Sequence, residues 1–200
     1  IALFSIADYA WNMDAYKSDA SWRRAVRYLM PGHAAALQVF ASHNSDLGGN
    51  EHDFRREESE QIRPALERLL DAYCREGKRE VAAASAVTEE CERMIASADL
   101  LLASDENPAL IKEITPWLIQ FKLLGEYGRE VLCMLAAQCD GKKTELEKAA
   151  SHAKALQVLM KKIDATYNQN GFQPGVKTGS CHLKPAFDRL YQEVVQRTGK

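Results

Sequence analysis

The spacing of the apolar residues constrains the fold of this chain more than any other feature. After Pro31-Gly32, apolar side chains recur every three or four positions in each long segment, which is the period of an α-helix. This pattern predicts helices over 33–42, 58–76, 80–103, 108–138, 142–167 and 184–197, preceded by one from Asp19 or Ser21 to Leu29. Because most of the connections are short, consecutive helices are expected to run antiparallel, as in an all-α bundle.

The composition agrees with that class and excludes several others. The chain of 200 residues has 28 alanines and 21 leucines against 23 valines, isoleucines and threonines together, and Ala and Leu are the better helix formers. A net charge of −2 argues against nucleic-acid binding, which needs a surplus of Lys and Arg. The longest apolar run, Val131–Ala137, is far shorter than the ~18–20 residues of a membrane span.

The N-terminal segment does not fit a free-standing bundle. Residues 1–7 are a short apolar run of the kind that forms a strand buried on both faces, and a helix follows after residue 18. No later segment has the pattern of a partner strand, and one strand cannot satisfy its own backbone groups. The sequence therefore predicts a last βα unit over 1–30, left from a larger α/β domain, and a helical bundle domain over 31–200.

Several common catalytic and metal-binding motifs are absent from the sequence. It has no G-x-G-x-x-G, Walker loop, G-x-S-x-G or H-E-x-x-H motif, and no histidine follows a glutamate by three residues, as a di-iron bundle requires. His43 and His52 flank a Gly-rich acidic loop but match no tetrahedral or EF-hand spacing. We expect no cofactor and no metal.

The five cysteines are odd in number and form no C-x-x-C pair. Four of them fall in apolar helical stripes. We expect reduced core residues rather than a disulfide framework. The four are Cys74, Cys91, Cys133 and Cys139, and the fifth is Cys181.

Trp11 and Asn12 follow the predicted strand, where barrel enzymes place their active-site residues. An indole packs on the apolar face of a pyranose, and an amide both donates hydrogen bonds to hydroxyls and accepts them. From the residues alone the simpler interpretation is also open, in which Trp11 fills the core between strand and helix and Asn12 caps a turn.

The sequence around these residues resembles glycoside hydrolase family 84, the β-N-acetylglucosaminidases that include bacterial O-GlcNAcases, some of them once labelled hyaluronidases. The segment Ser5–Asn12, with Tyr16 and Ser21-Trp22, is similar to the last barrel strand and following helix of that family. Further similarity to the post-catalytic helical domain lies in His43-Asn44-Ser45-Asp46, Arg55–Ser59, Glu113–Trp117, Asn168–Asn170 and Gln173–Thr178.

The resemblance implies a retaining, substrate-assisted glycosidase as the parent protein. In that family the N-acetyl oxygen of the substrate attacks the anomeric carbon, assisted by two adjacent Asp residues on an earlier strand. This chain contains no Asp-Asp pair. We therefore expect the chain alone to be inactive, supporting the barrel and supplying part of the sugar site.

The resemblance also implies individual roles. Trp11 would line the sugar pocket, Asn12 would bond the sugar, and Asn44 would reach back from the helical domain to outer hydroxyls. A turn or helix-capping role for Asn44 is the alternative. The family usually has Asp five residues after Asn12, and this chain has Lys17, which donates but cannot accept. That sugar contact is therefore not assigned to Lys17.

Other hypotheses remain at this stage. The chain could instead be a free-standing helical module that binds a protein partner. It could also be a sensor of small molecules, although the apolar faces of its predicted helices carry no cluster of polar residues to bind one. Through the parent enzyme the expected partner is a glycan or glycoprotein bearing N-acetylglucosamine. An exposed strand edge near Trp11 would favour self-association. The compartment stays open, with an exported or periplasmic bacterial parent expected.

Overall fold

A computed structural model of the chain describes residues 18–43, 54–140, 143–169 and 183–198. These residues form seven α-helices and one short 3₁₀ helix, with no strand among them. The α-helices are α1 (Ser18–Leu29), α2 (Ala34–His43), α3 (Phe54–Glu76), α4 (Val81–Leu102), α5 (Pro108–Asp140), α6 (Lys143–Gln169) and α7 (Leu183–Thr198), with the 3₁₀ helix at Pro31–His33. The predicted all-α bundle is confirmed.

The long helix α5 is the centre of the bundle. It packs most extensively against α6 and α4, and also against α7. Its buried side chains include Leu118, Phe121 and Val131, all fully enclosed. Because short segments join α5 to the helices before and after it, the three run antiparallel, and α5 contributes to the core along much of its length.

Local sequence signals explain where several helices begin and end. Asn107 caps α5, since its Oδ1 accepts a hydrogen bond from the Leu110 backbone N–H at 3.2 Å, as the sequence predicts. Glu80 caps α4 in the same way through the Ala83 N–H at 2.5 Å. After α3, Gly77 takes a positive φ of 66°, and its N–H donates to the Tyr73 carbonyl.

The helix limits differ from the predicted ones by a few residues. The largest difference is in α3, which begins at Phe54 rather than at 58 and continues through Pro64. Helix α5 likewise runs through Pro116 as one helix. The predicted strand over 1–7 and the loop that His43 and His52 flank lie outside the described residues. So do residues 1–16, which contain the strand edge expected to favour self-association.

The cysteines are partly as predicted. The four in the described part of the chain form no disulfide with one another, and Cys91 is fully buried between α4 and α5. The expectation of a core position is wrong for Cys133, which is exposed. Its neighbours Leu132 and Met134 turn inward, and the helical period places the residue between them on the opposite face. Cys181 lies outside the described residues.

Candidate functional site

The predicted sugar-binding residues Trp11, Asn12 and Asn44 lie outside the described residues, as do Lys17 and His52. The structure does describe the residue that immediately precedes Asn44. This is His43, the last residue of α2. The described part of the candidate site is the helix end that leads into Asn44, together with the side chains that hold it.

His43 ends α2 inside the bundle rather than on its surface. Its side chain is 3% exposed, and its Nε2 atom lies 2.5 Å from Oε1 of Glu90, a residue of α4 that is itself buried. The other carboxylate oxygen of Glu90 pairs with Arg93, whose side chain is about half exposed. The carboxylate is thus shared between an imidazole in the interior and a guanidinium at the surface.

Aromatic packing holds the imidazole from a third helix. The His43 ring lies 5.5 Å from the ring of Phe121 on α5, with the two planes tilted by 39°. The ring of Phe40, one turn before His43 on α2, packs edge-to-face against the Phe121 ring, with 5.4 Å between the two ring centres. Helices α2, α4 and α5 therefore converge on the side chain of His43.

This arrangement is costly to break. A carboxylate removed from water is tolerated only when it is paired and hydrogen-bonded. Glu90 has two partners: His43 from α2, and Arg93 from the next turn of its own helix. Leaving a buried polar group without its hydrogen-bond partner typically costs about 1–3 kcal/mol, so this contact holds the end of α2 in place.

A second polar cluster holds the start of α2. The Glu106 carboxylate accepts a hydrogen bond from the Gly32 N–H at 2.7 Å and lies 2.9 Å from Nδ1 of His33. The Gly32 hydrogen bond first, and the His33 contact second, lower the pKa of Glu106 below its usual value. The Asn107 amide also donates to the Leu29 carbonyl at 3.2 Å. Both ends of this ten-residue helix are therefore held by hydrogen bonds.

Two of the described thiols, those of Cys91 and Cys133, are not activated as nucleophiles. Burial raises the pKa of Cys91 to about 12, with the Glu92 carboxylate adding to the effect. Burial and the Glu130 carboxylate also raise the pKa of Cys133. No group of three or more His, Cys, Asp or Glu side chains in the described ranges is arranged to hold a metal ion.

Sequence reasoning did not identify the pair of His43 and Glu90. Glu90 carries a usable signal, because it lies three residues after Val87 and four before Met94, on the stripe that faces the core. A carboxylate on such a stripe indicates a buried partner. The partner itself is 47 residues away in the chain, and only the packing of α2 on α4 shows it.

Comparison with known proteins identifies the family. The family model "Bacterial GH84, post-catalytic domain" (glycoside hydrolase family 84) matches residues 58–191, which is more than half of the chain. The chain belongs to this family. A second model, described as beta-N-acetylglucosaminidase, matches residues 1–42, which precede the first match in the chain.

Two solved family 84 structures resemble the chain over most of its length. CpGH84D is 25% identical with a TM-score of 0.73, covering 98% of this chain and 32% of its own. CpGH84B is 20% identical with a TM-score of 0.72, covering 92% of this chain and 30% of its own. The likeness to CpGH84B supports the fold. The chain spans about a third of the length of either protein.

No helix in the described part of this family 84 domain is both long enough and apolar enough to cross a lipid bilayer. The resemblance to family 84 and to its post-catalytic helical domain, stated from the sequence, is confirmed.

Proposed function

We propose that the chain is the C-terminal region of a retaining, substrate-assisted β-N-acetylglucosaminidase. Residues 1–30 would be the last βα unit of its catalytic barrel, and residues 31–200 the helical domain that supports the barrel. The observation that carries this proposal is the order of the two matches, in which the N-acetylglucosaminidase model covers residues 1–42 and the post-catalytic model covers residues 58–191.

In this proposal the region contributes binding groups rather than the reacting carboxylates. Trp11 supplies an apolar face for the sugar ring, and Asn12 and Asn44 supply amides that donate to and accept from its hydroxyls. The chain has no Asp-Asp pair for the substrate-assisted step. The substrate would be a glycan or glycoprotein that carries N-acetylglucosamine, bound by the whole protein.

A helical scaffold of this kind suits a supporting role. Its core is continuous from α2 to α7, and the helix that leads into Asn44 is held at both ends by polar contacts to α4 and to the segment between α4 and α5. Amides that orient a ligand are effective only when their backbone is held still. The described contacts meet that requirement for the residue before Asn44.

The test compares the isolated 200 residues with the full-length protein, using a chromogenic N-acetyl-β-glucosaminide. We expect turnover by the full-length protein and none by the isolated region. In the full-length protein, Trp11→Ala and Asn12→Ala should raise KM by at least about tenfold, as expected for groups that contact bound sugar. Specific turnover by the isolated region, or wild-type kinetics for both variants, would contradict the proposal.

Self-association through residues 1–16 stays a prediction of the sequence. Light scattering of the isolated region, with and without those residues, measures it. A mass above that of one chain that falls to one chain on truncation would support it.

A further inference from the structure

The outward face of α4 carries a regular row of side chains that no other described helix covers. Helices α2, α3 and α5 pack on the other side of α4, where Val87, Cys91 and Met94 are buried. The outward row repeats at alternating steps of four and three residues, which is the spacing of a seam between two packed helices. The six side chains of this row, the α4 seam, are all exposed: Ala82, Ala86, Glu89, Arg93, Ala96 and Leu100.

The α4 seam is complementary to itself when a second copy lies against it in the antiparallel direction. A twofold axis at the level of residue 91 brings every member of the seam opposite another member, as in an isologous dimer interface. The facing pairs are 89 with 93, 86 with 96, and 82 with 100.

Charge complementarity selects this direction. The Glu89 carboxylate would meet the Arg93 guanidinium of the second copy, and the same pair recurs on the other side of the axis. A parallel arrangement would instead place Glu89 opposite Glu89 and Arg93 opposite Arg93, and like charges in contact are unfavourable.

Both charged groups are available for such a pair. Within the described ranges the Glu89 carboxylate accepts a hydrogen bond from the Ser85 hydroxyl at 3.0 Å and forms no ion pair. Arg93 pairs with Glu90 of its own helix, yet its side chain is about half exposed, and a guanidinium has five N–H donors.

Apolar side chains fill the rest of the seam. Ala86 faces Ala96 of the second copy, and two such small side chains let the helix backbones approach closely. The large side chain of Leu100 lies opposite the small one of Ala82, a pairing that allows facing helices to interdigitate. The seam is about 27 Å long. One pair of helices of that length forms an interface at the small end of the specific range, below about 1,200 Å², so the dimer is expected to be weak.

We infer that the α4 seam is a docking surface for a second copy of this chain, which packs antiparallel on the same seam to form a weak twofold-symmetric dimer. The dimer goes beyond the proposed function, because it requires neither the sugar contacts nor residues 1–16.

Sedimentation velocity of the full-length protein over a range of concentrations measures the dimer. We expect the average mass to rise from one chain toward two as the concentration increases. Leu100→Asp should weaken the dimer at least about tenfold, because a charge replaces the side chain that packs over Ala82. The matched control is Val158→Asp on α6, whose side chain is 53% exposed against 54% for Leu100, and it should leave the dissociation constant unchanged.

Glu89→Arg tests the direction of the two helices. It places two arginines opposite each other on both sides of the axis, so the dimer should weaken at least about tenfold, and less at high salt. Glu113→Arg makes the same charge change at an exposed position of α5 and should leave the dimer intact. Because all of these positions are exposed, the variants are expected to fold, which circular dichroism checks.

Cysteine cross-linking tests which residues face each other. Ala86→Cys and Ala96→Cys are made in separate proteins that also carry Cys133→Ser, since Cys133 is exposed. Oxidation of the mixture should give a disulfide between positions 86 and 96, identified by peptide mass spectrometry. Neither protein alone should cross-link at its new thiol, because the two copies of either position lie about 15 Å apart along the axis, too far for a disulfide.

A full-length protein that stays a single chain at every concentration would overturn the inference. The same holds for a dimer that Leu100→Asp and Val158→Asp affect equally, for one that Glu89→Arg leaves intact, and for a mixture in which positions 86 and 96 do not cross-link.

Discussion

Gly128 of α5 and Phe187 of α7 approach so closely that there is no space for a side chain at position 128. A Cβ atom there would come within 2.5 Å of Cζ of Phe187, and within 2.7 Å of the Cys91 sulfur on α4. The absence of a side chain allows three helices to meet at this point. Gly125, one turn earlier, has the same relation to α4, where a Cβ would lie 2.9 Å from the Cys91 carbonyl oxygen.

Gly128→Ala is therefore expected to destabilise the protein. In an open helix this change adds about 1 kcal/mol of stability through helix propensity. Here the ring of Phe187 and the sulfur of Cys91 must move, and overpacking of a core typically costs about 1–3 kcal/mol. We expect a net loss, measured as the free energy of unfolding in urea.

Enlarging the space beside Gly128 supplies the control. Phe187→Leu removes the ring atoms nearest to the added methyl group, so Gly128→Ala should cost less in that background than in the wild type. A Gly128→Ala protein more stable than the wild type would show that the helices can separate at no cost.

Gly125 and Gly128 lie three residues apart in one helix, so a close approach at this point could be predicted from the sequence, but the helices involved could not. The spacing of Gly125 and Gly128 indicates a helix contact, yet α4 and α7 are identified only by the packed structure. Most helix limits were predictable because the apolar period stops close to the Gly, Pro, Asn or Asp residues that end or begin a helix. The first turn of α3 was not, since the residues from Arg55 to Glu60 are all polar.

The candidate site was predictable to a smaller extent. Trp11, Asn12 and Asn44 came from family resemblance, and they remain predictions because they lie outside the described residues. Glu90 was missed because hydropathy assigns a charged residue to the surface. Its burial depends on His43, which reaches it from a separate helix.

Glu106 should make the stability of the protein depend on acid pH. Its pKa is lowered in the folded state, chiefly by the Gly32 N–H and then by His33, so the carboxylate favours the fold above its ordinary pKa. That contribution declines as the pH falls from the ordinary glutamate range through the lowered folded value. Urea unfolding at a series of pH values should show Glu106→Gln less stable than the wild type at pH 7.

The difference between the two proteins should vanish once Glu106 is protonated in the wild type. Glu113→Gln, on an exposed position of α5, serves as the matched control and should follow the wild type throughout. A stability difference for Glu106→Gln that stays constant down to the acid limit would argue against a titrating carboxylate at this contact.

The two thiols at Cys91 and Cys133 should react at very different rates with a maleimide. Burial holds the pKa of Cys91 at about 12 and excludes the reagent. Cys133 also has a raised pKa but is exposed on α5. Peptide mass spectrometry after labelling at pH 8 should find Cys133 modified and Cys91 modified only when urea is added. Equal labelling in the native protein would mean that α4 and α5 separate readily.

Tyr127 should stabilise the contact between α5 and α7. Its hydroxyl donates to Oδ1 of Asp188 at 2.7 Å, and Lys184 contacts the other carboxylate oxygen at 2.8 Å. Because the acceptor is charged, Tyr127→Phe should cost about 1.5–3 kcal/mol of unfolding free energy at pH 7.

The Tyr127 contribution should also depend on alkaline pH. Burial, and then the Asp188 hydrogen bond, raise the pKa of the Tyr127 phenol in the folded protein. A group with a raised folded pKa stabilises fully below its unfolded pKa and loses that contribution as the pH rises above it. The advantage of the wild type over Tyr127→Phe should therefore shrink above about pH 10. An advantage that does not change with pH would contradict this origin.

Gln120 of α5 should be replaceable by an apolar residue with a gain in stability. Its side chain is 2% exposed, and neither its Nε2 nor its Oε1 has a hydrogen-bond partner in the described part of the chain. A buried polar group without a partner costs about 1–3 kcal/mol, and Met has nearly the same shape without the polar atoms. Gln120→Met should raise the free energy of unfolding of the 200-residue chain.

Gln120→Glu, which places a charge in the same space, should lower the free energy of unfolding and serves as the opposing control. A loss of stability for Gln120→Met in the full-length protein, beside a gain in the isolated region, would locate the partner of Gln120 outside these 200 residues.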